Sequence, residues 1–557
     1  MTMMRPSSSQ YKDMPLSIVG STKFGRYPII SSEQTFNMIE SDGWMVPFAG
    51  YRNVVQIDNG GQGRGIESSV KLNELFAVID DDVYYFDETL HKTQIGTLAT
   101  SVGDVYISEN NAGQVAFSDN QNIYVYDSVS GDFTQAVIDF TPGYITFQNA
   151  RFISPDRLSS AWRLSDLNNG LSWPNDAQHV GQLQTKPDNC VATLRFPGRG
   201  NLLFVFGKTV TEQWYDVGAQ LFPYQRAESL NIDYGCINAA SIAQSDTIVA
   251  WVGINEKSGA VIIYSTGGDF TKISNDGIDY RLANLTNPSD CFGFMFRQDG
   301  HLFYVITWKT DNVTYAYDFN TEKFYTLCDE NMNAFIVKRV SYFNGNYYCV
   351  NSTDGNLYEL SSQINYYDYG NGNIYEAPRI RIPPTIRRPD QARFVAGYIG
   401  FTIEQGTQNG IPGYVDSILV TNGGSGYSDA TVSVSGGNGN YVSATAVISD
   451  GVITEIKVTD GGKGFTLTPD VIITSNSGSG ATATASITPF PQRVDLSLSR
   501  DNASNYGSDI AYPLNPLGKR MNRLLWWQLG AANTLTPQFR FHGMGRFICT
   551  DGIVGIK

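Results

Sequence analysis

Between residues 75 and 361 one pattern recurs: an apolar strand, a polar turn, then a second strand closing on Asp or Ser. The copies are LFAVIDDDVYYFD (75–87), VAFSDNQNIYVYD (115–127), RFISPDRLSSAWRLSD (151–166) and LLFVFGKTVTEQWYD (202–216). TIVAWVGINEKSGAVIIYS (247–265), LFYVITWKTDNVTYAYD (302–318) and YYCVNSTDGNLYELS (347–361) follow. Their ends recur at roughly 40 to 50 residues, the spacing of propeller blades. Apolar and polar residues alternate with period two, so each copy reads as a half-buried antiparallel hairpin. One hairpin cannot bury its apolar face alone; radial packing of neighbours supplies the core. The repeat therefore predicts a β-propeller of six or seven blades, with closure borrowing a strand from the far end of the chain.

Composition agrees. Glycine contributes 55 of 557 residues, aromatics 13% and charged residues only 17%. Helical bundles need Glu, Lys, Leu and Ala in bulk, whereas Tyr, Phe, Val and Thr fit a pleated surface. The fold class expected is all-β. With 39 basic and 54 acidic residues the net charge is −15. Broad, tight binding of nucleic acid needs a basic face, which this balance argues against. No stretch approaches the roughly 18 apolar residues of a membrane span, and MTMMRPSSSQYKDMP lacks the apolar core of a signal peptide. No membrane insertion is expected. Six scattered cysteines without a C-x-x-C pair read as buried free thiols of a chain made in a cytoplasm.

After residue 375 the texture changes. APRIRIPPTIRRPDQARF (377–394) is rich in Pro and Arg, and ordinary alternating strands then resume. VDSILVTNGGSGYS (415–428) aligns with ITEIKVTDGGKGFT (453–466), a second and independent repeat. Asn422-Gly423 and Asp460-Gly461 read as tight-turn dipeptides within it. The division expected is an N-terminal arm (1–30), a propeller with leading strands (31–375), a β-sandwich built from 376–404 and 491–557, and a Gly-rich β insert (405–490) interrupting it.

Few motifs carry chemistry. GGQGRG (60–65) lacks the Gly-Lys-Ser/Thr of a phosphate loop and reads as a turn before the first blade. Asp80, Asp81 and Asp82 sit between two strands and read as a solvated hairpin turn. DLNNGLSW (166–173) nearly matches the Asp-box of sialidase-like propellers, a folding motif rather than an active site. His91, His179, His301 and His542 are isolated, so sequence neighbours build neither a zinc site nor a catalytic triad. The residues point to no catalytic group, cofactor or metal.

Arginines stand out in so acidic a chain. Arg379, Arg381, Arg387, Arg388 and Arg393, together with Lys519, Arg520 and Arg523 beside Trp526-Trp527, are candidates for a subunit or partner interface. Arg and Trp are enriched at interface hot spots. Adjacent tryptophans on a strand point to opposite faces, leaving one to face outward. Tyr427 and Phe465, each following Gly-Gly-x-Gly, are candidate surface-binding residues of the insert.

The chain resembles the tail nozzle proteins of short-tailed bacteriophages, also called packaged-DNA stabilisation or tail-hub proteins. The likeness lies in Asn37-Met38, Gly43, Pro47, Gly50 and Gly63-Arg64-Gly65-Ile66-Glu67. It continues through Pro187-Asp188, Phe206-Gly207, Thr211-Glu212-Gln213-Trp214 and Gly218, then LSLSRDNASNYG and KRMNRLLWWQLGAANTLTPQFRF. The insert departs from that pattern. The resemblance implies a virion component without enzymatic activity, a homo-hexameric ring below the portal and its adaptor ring. It also implies contact with tail fibre, spike or needle proteins, and retention and release of double-stranded DNA without tight binding. The competing reading is a carbohydrate- or cell-surface-binding β-propeller, using aromatic loops of the propeller or the insert.

Overall fold

The computed structural model describes residues 11–26, 33–58, 61–196, 198, 201–219, 221–405, 411–514 and 521–557. Each hairpin of the repeat forms the two middle strands of one propeller blade. Blades 1 to 4, at 63–97, 106–135, 146–182 and 190–226, are four-stranded antiparallel sheets. Blade 5 spans 235–272 and blade 6 spans 291–327. Blade 7 combines Val337–Phe343, Asn346–Asn351 and Gly355–Ser361 with an outer strand from far upstream, Gly50–Asp58. That upstream strand runs antiparallel to Gly355–Ser361, Val55 facing Leu357. The ring thus closes at seven blades, through a strand borrowed from the N-terminal side.

The mortar between blades is aromatic. Trp162, Trp251 and Trp308 are fully buried, and Trp162 meets Trp214, Phe222 and Tyr224 edge-on at 5.4 Å each. At the closing strand, Tyr51 stacks on Tyr367 at 4.5 Å and donates to the Tyr369 hydroxyl at 2.8 Å.

Blade 6 does not end at its fourth strand. Its sheet continues through Gln34–Phe36, Arg379–Ile382, Thr534–His542, Arg493–Ser499 and Ile510–Pro513. Facing it is a six-stranded sheet in the order Met38–Ser41, Trp44–Pro47, Phe547–Ile556, Phe394–Gln405, Met521–Ala532, with Lys12–Leu16 pairing Phe547–Ile556. Ile399, Phe401, Leu524 and Trp526 of one sheet pack against Leu496, Phe539 and Phe541 of the other, a β-sandwich core. The described residues 11–26 and 33–47 therefore work differently from the sequence reading, which made 1–30 an arm and the residues from 31 leading propeller strands. Their short strands complete the sandwich, because Met38, Met45, Leu16 and Ile18 are apolar enough to join its core. An Asp42-Gly43 turn, both residues at positive φ, closes the hairpin that carries them.

The insert is one six-stranded sheet, in the order Asp470–Thr474, Thr431–Ser435, Asn440–Ser449, Val452–Lys463, Gly413–Ser425, Ser479–Pro489. Here the turn reading of Asn422-Gly423 and Asp460-Gly461 is corrected: both lie inside long strands. The Asn422 and Asp460 side chains accept the N–H groups of Gly424 (3.0 Å) and Gly462 (2.9 Å), which adopt φ of +62° and +65°. These local bonds bend the strand instead of reversing it. Entry and exit of the insert lie side by side, with Gly413 opposite Pro489 and Gln405 bonded to Gln492 at 2.6 Å. Replacing 406–491 by a short Gly-Ser link should therefore leave the rest folded, at a cost of about 1–3 kcal/mol in urea stability, because Ile374 and Met544 lose their packing on Ile411 and Phe490. Loss of the cooperative transition would show that the insert is part of the core.

Candidate functional site

The first strands of the blades surround the propeller axis. They leave a cavity of about 340 Å³ whose wall includes Glu67, Tyr106, Tyr144, Asp246, Met295 and Arg339. Two further recesses, of about 620 and 650 Å³, share Glu67 and Gln244 with it and continue the channel past blades 2 to 4 and blades 5 to 7. Glycine at 65 lets the wall draw in this far: a Cβ there would meet the Val105 carbonyl at 2.4 Å.

A common defect shapes this wall. In Gly63–Ser69, Cys190–Phe196 and Val337–Phe343 the register slips at the second residue, leaving Arg64, Val191 and Lys338 without a cross-strand partner. Such bulges re-aim side chains. Arg64, fully buried, donates to the carbonyls of Asp80 (2.7 Å), Thr100 (2.5 Å), Val102 (2.9 Å) and Gly103 (2.8 Å). So the end of GGQGRG, read as a turn, opens the first strand of blade 1, and its arginine staples the segment leading to blade 2. Lys338 reaches Asp104 at 3.1 Å. Burial pushes the Lys338 amine down; for Asp104 burial pushes up, but Lys338 and Arg339 outweigh it and the carboxyl ends below its ordinary range.

Glu67 is open to the channel, yet protein surrounds it. That enclosure, then Glu109, pushes its carboxyl up to about 7, while Arg339 pulls the other way. Glu67 belongs to the family likeness, but nothing in the sequence places it and Arg339 on one wall, because a channel wall is assembled from strands far apart in the chain.

The candidate interface arginines divide. Arg379 and Arg381 are buried, which removes them from any docking surface. Arg379 donates to the carbonyls of Gly543 (2.9 Å) and Asn365 and lies 5.6 Å over the Phe547 ring; burial lowers it to about 10. Arg381 donates to the carbonyls of Ile18 (2.7 Å), Ser17 (3.2 Å) and Ser21 (3.2 Å) and pairs with Glu33 at 2.6 Å. An Arg fork satisfies many carbonyls at once, and here it ties residues 17–35 to the sandwich.

Arg387, Arg388, Arg393 and Arg523 are outside the core. Arg387 bonds Asn502 at 2.9 Å and Arg388 pairs with Asp390 at 2.9 Å. Phe394 faces Ala532 and Thr402 faces Arg523, so Arg393 and Arg523 sit at opposite ends of one strand pair, about 30 Å apart. Lys519 and Arg520 lie outside the described residues. Trp526 is buried and donates to the Ile510 carbonyl at 2.9 Å, whereas Trp527 turns to the other face and packs on Tyr398 at 5.0 Å.

Tyr427 and Phe465 are also corrected: both are buried in the insert's core. A Cβ on Gly478 would meet the Tyr427 ring at 2.5 Å, and one on Gly439 would meet the Phe465 ring at 2.5 Å. Each ring covers a glycine of the opposite repeat, so neither is available to a ligand. The Asp-box is a turn: Ser172 donates to Asp166 at 2.6 Å and the buried Trp173 donates to the Gly170 carbonyl at 2.7 Å. Asp80 reverses the blade 1 hairpin at φ +49°. All six cysteines are free and buried, and burial raises each thiol. Among the described residues no group of three or more His, Cys, Asp or Glu side chains is placed to hold a metal ion. Nor is any helix long and apolar enough to cross a membrane.

Comparison with known proteins places this architecture. The chain is similar in structure to a streptogramin B lyase at 14% identity, with a TM-score of 0.38, covering 57% of this chain and 99% of that one. The virginiamycin B lyase of Staphylococcus aureus gives 14% identity and a TM-score of 0.38, over 56% and 98% of the two chains. For the N-terminal domain of Nup159 the values are 12% identity and 0.35, over 59% and 98%. No curated protein matches the sequence. The family model described as "Bacteriophage P22 Gp10, beta-propeller" matches residues 25–365, from the arm that Arg381 anchors through all seven blades. The chain belongs to this phage stabilisation family.

Proposed function

We propose that the protein is the tail nozzle of a short-tailed phage: a homo-hexameric ring beneath the portal and adaptor that holds packaged DNA and gives it an exit. The family match over the whole propeller carries this reading, since the family is one of phage stabilisation proteins. Net charge supports the conduit part. At −15 per chain, repeated around a ring, the protein would repel a phosphate backbone rather than grip it. Its role is structural and needs no turnover. Adaptor, fibre, spike or needle proteins would meet the sandwich and its neighbours, where Arg387, Arg388, Arg393 and Arg523 lie outside the core and could turn to an acidic partner, Arg387 and Arg388 by giving up Asn502 and Asp390. The sugar-binding alternative loses its two named residues in the insert, Tyr427 and Phe465, to the core.

Charge reversal tests the docking part. Changing Arg387, Arg388, Arg393 and Arg523 to Glu should leave circular dichroism and the unfolding midpoint unchanged, because exposed charges contribute little to stability. Incorporation into virions should fall at least tenfold, read by quantitative blotting of purified particles. Normal incorporation of the folded variant would remove this surface from the account.

A further inference from the structure

We propose that the axial channel of the propeller is a binding site for a small zwitterion of amino-acid or dipeptide size. Glu67 would take its ammonium group and Arg339 its carboxylate. The inference is independent of the tail reading and rests on the channel alone.

Glu67 and Arg339 face one cavity from blades 1 and 7, near enough to feel one another's charge, yet no hydrogen bond joins them. Arg339 spends one guanidinium nitrogen, Nη1, on the Gly293 carbonyl at 3.1 Å, and lies 5.8 Å over the Tyr106 ring. Its other terminal nitrogen, Nη2, is buried without a hydrogen-bond partner, as is the hydroxyl of Ser245 on the same wall. Buried donors without a protein partner are completed in folded proteins by an ordered water or a ligand oxygen. Arg339 is set at this wall by the bulge between Val337 and Arg339, so the position is built into the strand rather than left by a floppy side chain.

The two charges decide the ligand class. A simple cation would satisfy Glu67 and leave Arg339 Nη2, whose charge also faces Asp104, without an acceptor; a simple anion would fill Nη2 and leave Glu67 without a donor. A molecule carrying both charges satisfies both. Tyr106 and Tyr144, with ring centroids 4.6 Å apart, and Met295 offer apolar surface for the ligand's hydrocarbon. The volume of about 340 Å³ falls at the small end of ligand sites, and the two recesses that share Glu67 give a route in.

The test uses the full-length protein and saturation-transfer NMR with L-alanyl-L-alanine, its N-acetyl form, its C-terminal amide, and L-alanine. We expect saturable binding of a free zwitterion, with both capped forms at least tenfold weaker. L-alanine against the dipeptide reports whether a free amino acid or a peptide fills the site. Groups facing Glu67 are Glu109 from blade 2, Tyr144 at the start of blade 3 and Arg339 from blade 7, while Lys71, Arg195 and Asp246 line the recesses it shares. An ionised Glu67 accepts the ammonium, so dipeptide binding should tighten from about pH 5 to pH 7 as Glu67 ionises and weaken again near pH 8, where the dipeptide's own ammonium loses its proton. Glu67→Gln should abolish both the pH dependence and the preference for a free amine. Arg339→Gln should abolish the preference for a free carboxylate. Should that variant fail to fold, Glu67→Gln decides the matter alone, since Glu67 supports no structural bond. The proposal is overturned if no probe saturates up to about 10 mM, or if capped and free probes bind alike.

Discussion

Replacing Arg381 by methionine is expected to cost about 3–5 kcal/mol of unfolding free energy, the range for removing one partner of a buried ion pair. Arg381 is fully buried, and its fork is spent on Ser17, Ile18, Ser21, Thr35 and Glu33. Methionine fills much of the volume but leaves those acceptors unpaired; Lys23, 2.8 Å from the other Glu33 oxygen, rescues only the carboxylate. Arg381→Lys should also be poor, because one ammonium cannot reproduce the planar fork. Urea unfolding measures the difference, and limited proteolysis should find the first 35 residues cut early in either variant. A loss below about 1 kcal/mol would mean that water replaces the arginine at little cost.

The second large effect is expected at the ring closure. Tyr51 is fully buried, stacked on Tyr367 and edge-on to Phe335, Tyr358 and Tyr369 at 5.6–5.8 Å. Tyr51→Ala removes that aromatic body and leaves the Tyr369 hydroxyl oxygen without its donor. The expected cost is about 3–5 kcal/mol, as for other large aromatic-to-alanine changes in a core. Since Gly50–Asp58 holds blade 7 against Gly355–Ser361, hydrogen exchange should rise in blade 7 before blades 2 to 4. Uniform exchange across all blades would contradict a closure that depends on this strand.

Legibility followed sequence separation. The seven hairpins were readable because each is local, with its apolar alternation and its turn inside one short stretch. Their flanking strands were not: Phe133–Gln135 and Phe270–Lys272 are three-residue edges with exposed side chains, and no alternation survives at that length. Blade number stayed open between six and seven until Gly50–Asp58 was seen to complete the last blade, a pairing across some three hundred residues.

The candidate site was less legible. Arg379 and Arg381 look like surface charges beside prolines, but their carbonyl partners come from residues 17–35, 365 and 543. Tyr427 and Phe465 look like loop aromatics because the glycines they cover belong to the other repeat. Tight-turn dipeptides misled where Asn422 and Asp460 bonded their own backbone within a continuing strand. Arg64 carried one local hint, an arginine between two glycines at a strand start, and its role follows from the bulge that turns it inward.

Electron microscopy of virions, labelled with an antibody against the insert at 411–489, tests the central claim most directly. The account predicts label in a ring at the outer end of a short tail, below the portal. Tails without label, with the protein recovered only in the unassembled fraction, would contradict it.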